Sequence, residues 1–162
     1  MEASHSVPEL VAAAQSTANA CQERISETQA LKGARQDLDI AIAELEAVAV
    51  DIFSVFEARM QHHFKRGPFS RKLKTKLLEA GEPDLADRLH QYYLAVNVLK
   101  HGKGASYREL LANPSSMVAM NVADDVNTRE DRATSGLVDV THLGFFDSLC
   151  STILEATEFL EG

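Results

Sequence analysis

The sequence has no tryptophan, four prolines and two cysteines in 162 residues. So few prolines leave room for long helices, because proline breaks a helix interior. Two cysteines leave one disulfide open on sequence alone, with two buried thiols as the simpler account. Cys21 and Cys150 each sit among apolar neighbours on a helical pattern, as buried thiols in a reducing cytoplasm would. No run approaches the roughly 18 uninterrupted apolar residues of a membrane span. The longest candidate, IAIAELEAVAVDIF (40–53), is broken by Glu44, Glu46 and Asp51. The start, MEASHSVPEL, lacks the basic and apolar regions of a secretory leader, so a cytoplasmic protein with no membrane association is expected. No repeat of fixed period shows.

What is present is helical. The 45% hydrophobic and 25% charged fractions lie in the globular range. SVPE opens the first helix, with Ser6 and Glu9 spaced for a capping box and Pro8 suited to the first turn. Val11, Ala14, Ala18, Cys21 and Ile25 form its apolar stripe, and Lys32-Gly33 reads as its end. The second helix, about 34–65, carries a seam of Leu38, Ile42, Leu45, Ala49, Ile52, Phe56 and Met60, widened by Phe53 and Phe64. Asp37, Asp39, Glu44, Glu46, Asp51 and Glu57 are expected to face away from it, and Gly67-Pro68 stops it.

A short third helix, 71–80, is expected between a Ser70 cap and Gly81. The fourth begins around Pro83 and runs to His101 along Leu85, Leu89, Tyr92, Val96 and Leu99. A fifth, short helix is expected from Ser106 to about Ala112, ended by Asn113-Pro114. Val118, Met120 and Val122, then Val138 and Val140, alternate as short strands would around the polar ADDVNTREDRATSG. A last helix, roughly 142–160, presents Leu143, Phe146, Leu149, Cys150, Ile153, Thr157 and Leu160. Amphipathic helices hide their stripes against one another. The expectation is one all-α domain over residues 1–162: an antiparallel bundle of four long helices and one or two short ones, with a small β-hairpin insert near 117–140.

Histidine spacing gives no metal site. Ligand pairs on one helix are best placed at i,i+4, whereas His62 and His63 are adjacent and point about 100° apart on an α-helix. His90 and His101 lie three turns apart, and His5 and His142 have no cluster around them. Neither a metal nor another cofactor is expected.

Charge is unevenly spread. The chain carries −8 overall, yet residues 59–108 hold eleven Lys/Arg against four acids, and 59–76 hold no acid at all. Such a segment suits an anionic partner, and suits equally an acidic helix packed beside it. Arg71, Lys72, Lys74 and Lys76 are its candidate partner-binding residues.

The stretch LAVNVLKHGKGASYRELLANP (94–114) joins the fourth helix to the fifth. Gly102-Lys103-Gly104 lacks the spacing of a P-loop. SYRE (106–109) has the form of a capping box, which would occupy Ser106 with the Glu109 amide. Gly102 suits a left-handed helix end, Lys100, His101 and Lys103 suit the negative end of a helix dipole, and Asn97 is one turn from His101, placed to hydrogen-bond it. His90, Tyr93, Asn97 and His101 fall near one face, a polar, aromatic lining for an anionic ligand or a base.

VNVLKHGKG (96–104) also resembles the end of the third helix in HEPN domains, an all-α superfamily with many metal-independent ribonucleases. Asn97, His101 and Gly102 stand where their Asn-x-x-x-His-Gly would fall, while Val96 stands where the usual Arg would be. The resemblance implies His101 as a base with Asn97 beside it, and a site commonly built across a homodimer. Lys100, Lys103 or Arg88 would then replace the missing cation, although lysine lacks the arginine fork.

The sequence thus supports a non-enzymatic binding module for RNA or a protein, with Lys100, Lys103, Arg88, His90 and Tyr93 as ligand-binding candidates. The alternative is a HEPN-like ribonuclease using His101 and Asn97.

Overall fold

Ser6 and Glu9 form the capping box at the start of the chain's first helix. The Ser6 amide donates to Glu9 Oε1 at 2.8 Å and the Glu9 amide to Ser6 Oγ at 3.3 Å. From there the computed structural model, which describes residues 6–30, 35–64, 67–113, 118–120, 137–142 and 144–162, winds through six α-helices. They are α1 (Val7–Ala30), α2 (Arg35–Met60), α3 (Phe69–Glu79), α4 (Pro83–His101), α5 (Ala105–Ala112) and α6 (Phe145–Glu161), with one 3₁₀ turn at Gln61–His63 after α2. Four are long and two short, an all-α bundle. None of these helices is long and apolar enough to cross a membrane.

The seams find one another. Val11, Ala18, Cys21 and Ile25 of α1 join Leu45, Ala49, Ile52, Phe53, Phe56 and Met60 of α2 in one buried cluster that draws on all six helices. Small residues at Ala18 and Cys21, fully buried, let α1 lie close on α2. Cys21 and Cys150 are both buried free thiols, and burial pushes the Cys150 thiol up to about 11.

α4 is the pivot, packed against α2, α3, α5 and α6. Its predicted seam is buried, and so are Ala86, Gln91, Leu94, Ala95 and Val98 on its other sides. The Tyr92 hydroxyl donates to the Phe145 carbonyl at 2.8 Å, and its ring meets Phe145 edge-on at 5.4 Å. Gly102 ends α4 at φ +79° and ψ −146°, its amide donating to the Val98 carbonyl at 2.8 Å. Only glycine adopts that backbone region readily.

Several expectations change. Ser70 does not cap α3: the helix starts two residues earlier than expected, at Phe69, after Pro68, and the Ser70 hydroxyl donates instead to Glu57 Oε2 at 3.3 Å. Phe69 explains the shift, because its buried ring packs on Phe56 and Phe64 at 5.5 and 5.6 Å. Glu46 is buried and Glu57 half-buried, so α2 is covered more widely than its seam implied. Burial raises the Glu57 carboxyl above its ordinary range, against the opposing pull of Lys100 and the Ser70 hydroxyl.

The expected hairpin is not formed as a ladder among the described residues. One isolated antiparallel bridge joins Met120 to Val138. Leu137, Val138 and Val140 are all buried, so consecutive side chains pack into the bundle instead of alternating across a sheet. The polar segment between them, Val122, the Lys32-Gly33 helix end, Pro114 and Leu143 lie outside the described residues, as do His5, Lys65 and Arg66.

Candidate functional site

The turn from α2 to α3 and the break between α4 and α5 bring three helices around one cleft. Pro68, Ser70, Arg71 and Lys74 form one wall, His90, Tyr93 and Leu94 of α4 the floor, and Ala105, Ser106 and Glu109 of α5 the other wall. The cavity measures about 420 Å³, within the size range of small-ligand sites.

The polar side chains that α4 and α5 bring to the cleft are held by one another. His90 Nε2 lies 2.8 Å from Glu109 Oε2, a link from α4 to α5. The His90 and Tyr93 rings are nearly parallel, 23° apart in plane with centroids separated by 6.2 Å. Asn97 Nδ2 donates to Ser106 Oγ at 3.2 Å. The capping box read at SYRE is therefore absent: Gly104 is the N-cap with no side-chain bond, and Ser106 and Glu109 turn to α4 instead. Longer-range partners have displaced the local pairing. Asn97 likewise bonds Ser106 and not His101.

Helix geometry divides the basic residues of α3. Arg71 and Lys74, three apart, share the cleft face. Lys72 and Lys76, four apart, lie elsewhere: Lys72 covers Gly67, and Lys76 Nζ sits 5.9 Å from the Phe64 ring centroid. Neither Arg71 nor Lys74 forms an ion pair among the described residues.

The remaining candidates sit apart from this cleft. Arg88 grips Glu155 of α6 with two bonds, 3.0 and 2.8 Å, and donates to Thr152 Oγ1 at 3.2 Å. Those hydrogen bonds hold the Glu155 carboxyl below its ordinary range. Lys100 lies close enough to Glu57 to stabilise its charge. Lys103 is half-buried, and His101 is exposed at the end of α4. The cleft thus unites four of the candidates (Arg71, Lys74, His90 and Tyr93) and excludes Lys72, Lys76, Arg88, Lys100, Lys103 and His101 from its lining.

A second cluster was not anticipated. His62, His63 and Glu161 bring one donor atom each to within 4.8 Å of one another. The two histidine rings do not diverge: they stand 4.1 Å apart, 35° in plane, in the 3₁₀ turn. The third member comes from the far end of the chain, so no local spacing reveals it.

No protein-family model matches the chain, and no curated protein or solved structure matches it either.

Proposed function

We propose that the chain is a non-enzymatic binding module that takes a single-stranded, phosphate-bearing partner in the cleft between α3, α4 and α5. The observation that carries this reading is the pairing of two cations that form no ion pair among the described residues, Arg71 and Lys74, with the stacked His90–Tyr93 floor across one cavity. Cations attract a phosphate backbone, and an aromatic surface accepts a base face. The protein would work in the cytoplasm, where buried thiols stay reduced.

Fluorescence anisotropy with labelled single-stranded RNA tests it. The double change Arg71→Gln and Lys74→Gln is expected to weaken binding at least tenfold and to lower the salt slope by about 1.4, since each lost phosphate contact on a single strand removes about 0.7. Lys72→Gln with Lys76→Gln is expected to do less. Equal affinity of the two double variants would refute the cleft.

The exposure of His101 favours one second reading, the HEPN-like ribonuclease, with Asn97 nearby and a cation supplied by a homodimer partner. RNA cleavage in EDTA that disappears in His101→Ala would replace the binding reading with that one.

A further inference from the structure

We propose that His62, His63 and Glu161 form a binding site for a divalent transition-metal ion, with zinc the best fit. The site is separate from the cleft and does not rest on the function proposed for it.

Donor chemistry is the first argument. Two imidazoles and a carboxylate suit zinc and its first-row neighbours, whereas calcium and magnesium prefer all-oxygen shells. Three protein ligands with an open fourth position is the arrangement of accessible zinc sites. Here His62 and Glu161 are exposed and His63 half-buried, which leaves a solvent side for water as the fourth ligand. The donors lie within 4.8 Å of one another. A tetrahedron with metal–ligand bonds of about 2.0–2.1 Å has edges of roughly 3.3 Å, so small side-chain rotations close the gap.

The second argument is the state of each donor. His62 Nδ1 lies 2.8 Å from the Arg59 carbonyl oxygen, to which it donates its hydrogen. That bond leaves the His62 Nε2 lone pair available, and such a backbone carbonyl partner is the usual orienting contact behind a ligating histidine. His63 Nε2 is buried without a hydrogen-bond partner among the described residues. It faces Glu161 Oε2 at 3.7 Å, too long for a hydrogen bond. A buried polar atom left in that state is costly, and a cation between the nitrogen and the carboxylate would satisfy both.

Placement supplies the third argument. Glu161 is the last residue of α6, where the helix dipole is negative, and the last turn of α6 holds no basic residue. A cation there is favoured. The ion would tie the end of α6 to the turn that leaves α2.

The test uses the full chain without an affinity tag. Calorimetric titration with ZnCl₂ is expected to give one ion per chain and to raise the melting temperature, because a ligand held only by the folded state stabilises it. Cobalt(II) in place of zinc is expected to show the visible absorption of a tetrahedral site. Glu161→Gln and His62→Ala alter exposed side chains, so both variants are expected to fold. Each is expected to lose affinity by at least about a hundredfold, more than the roughly 10–100-fold typical of a lost outer-shell partner. Wild-type zinc affinity in both variants, or no binding by the wild type at neutral pH, would overturn the site and leave His63–Glu161 as a simple ion pair that forms when His63 is protonated.

Discussion

Glu109 reaches back to His90 at 2.8 Å and leaves the Ser106 amide, its expected capping partner, without it. The contact ties the α5 wall of the cleft to its α4 floor, with Asn97–Ser106 as the neighbouring tie.

A double-mutant cycle separates this arrangement from a capping box. His90→Ala and Glu109→Ala are expected to couple by about 0.5–1 kcal/mol in denaturant unfolding. Ser106→Ala and Glu109→Ala are expected to add with no coupling above about 0.3 kcal/mol. The reverse pattern would restore the local capping box.

The Arg88–Glu155 clasp predicts a specific acid response. Arg88 holds the folded-state carboxyl of Glu155 below its unfolded value. The unfolded chain therefore binds the proton first, and the contribution is present above the unfolded value and lost as pH falls through the folded one. Arg88→Gln is expected to destabilise the protein by about 1 kcal/mol at neutral pH, kept small because Glu155 is half-exposed and screened. The two proteins are expected to converge in acid, once the pH has fallen through the folded-state value, in urea titrations.

Glu57 carries the opposite sign. Burial raises its carboxyl in the folded state, so its contribution is greatest below the unfolded value and declines as pH rises through the folded one. Glu57→Gln is expected to be at least as stable as the wild type at neutral pH, with the advantage disappearing in acid. Parallel melting curves at the two pH values decide it, and a variant less stable at neutral pH would show that the Lys100 attraction outweighs burial.

Gly102 gives a backbone prediction. At φ +79° and ψ −146° an alanine is strained, and Gly102→Ala is expected to cost about 1–3 kcal/mol. Thermal unfolding measures it. A neutral result would mean that the end of α4 relaxes freely.

The helices were largely legible because each carries local instructions. Ser6 and Glu9 mark the start of α1, Pro83 the start of α4 and Gly102 its end, and the seams of α2 and α4 repeat at helical spacing. What local pattern could not show was competition from a distance. Ser70 and Ser106 both have the look of caps, yet Glu57 and Asn97 engage them first. A seam predicts one buried face, whereas α4, surrounded by four helices, buries Ala86, Leu94 and Ala95 as well. Arg71 and Lys74 were recognisable as cations, but their separation from Lys72 and Lys76 needed the orientation of α3 against α4. The pairing of His62 and His63 with Glu161 needed the whole chain.

The packing of α4 against four other helices restricts how this protein can evolve. Its buried positions admit few substitutions, since a change of even one methylene in a close-packed interior is felt. Leu94 of the cleft floor is one of these positions, whereas His90 and Tyr93 beside it are only half-buried. Novelty in what the cleft accepts is left to exposed positions such as Arg71 of α3, which forms no ion pair among the described residues, whereas Glu109 of α5 is tied to His90.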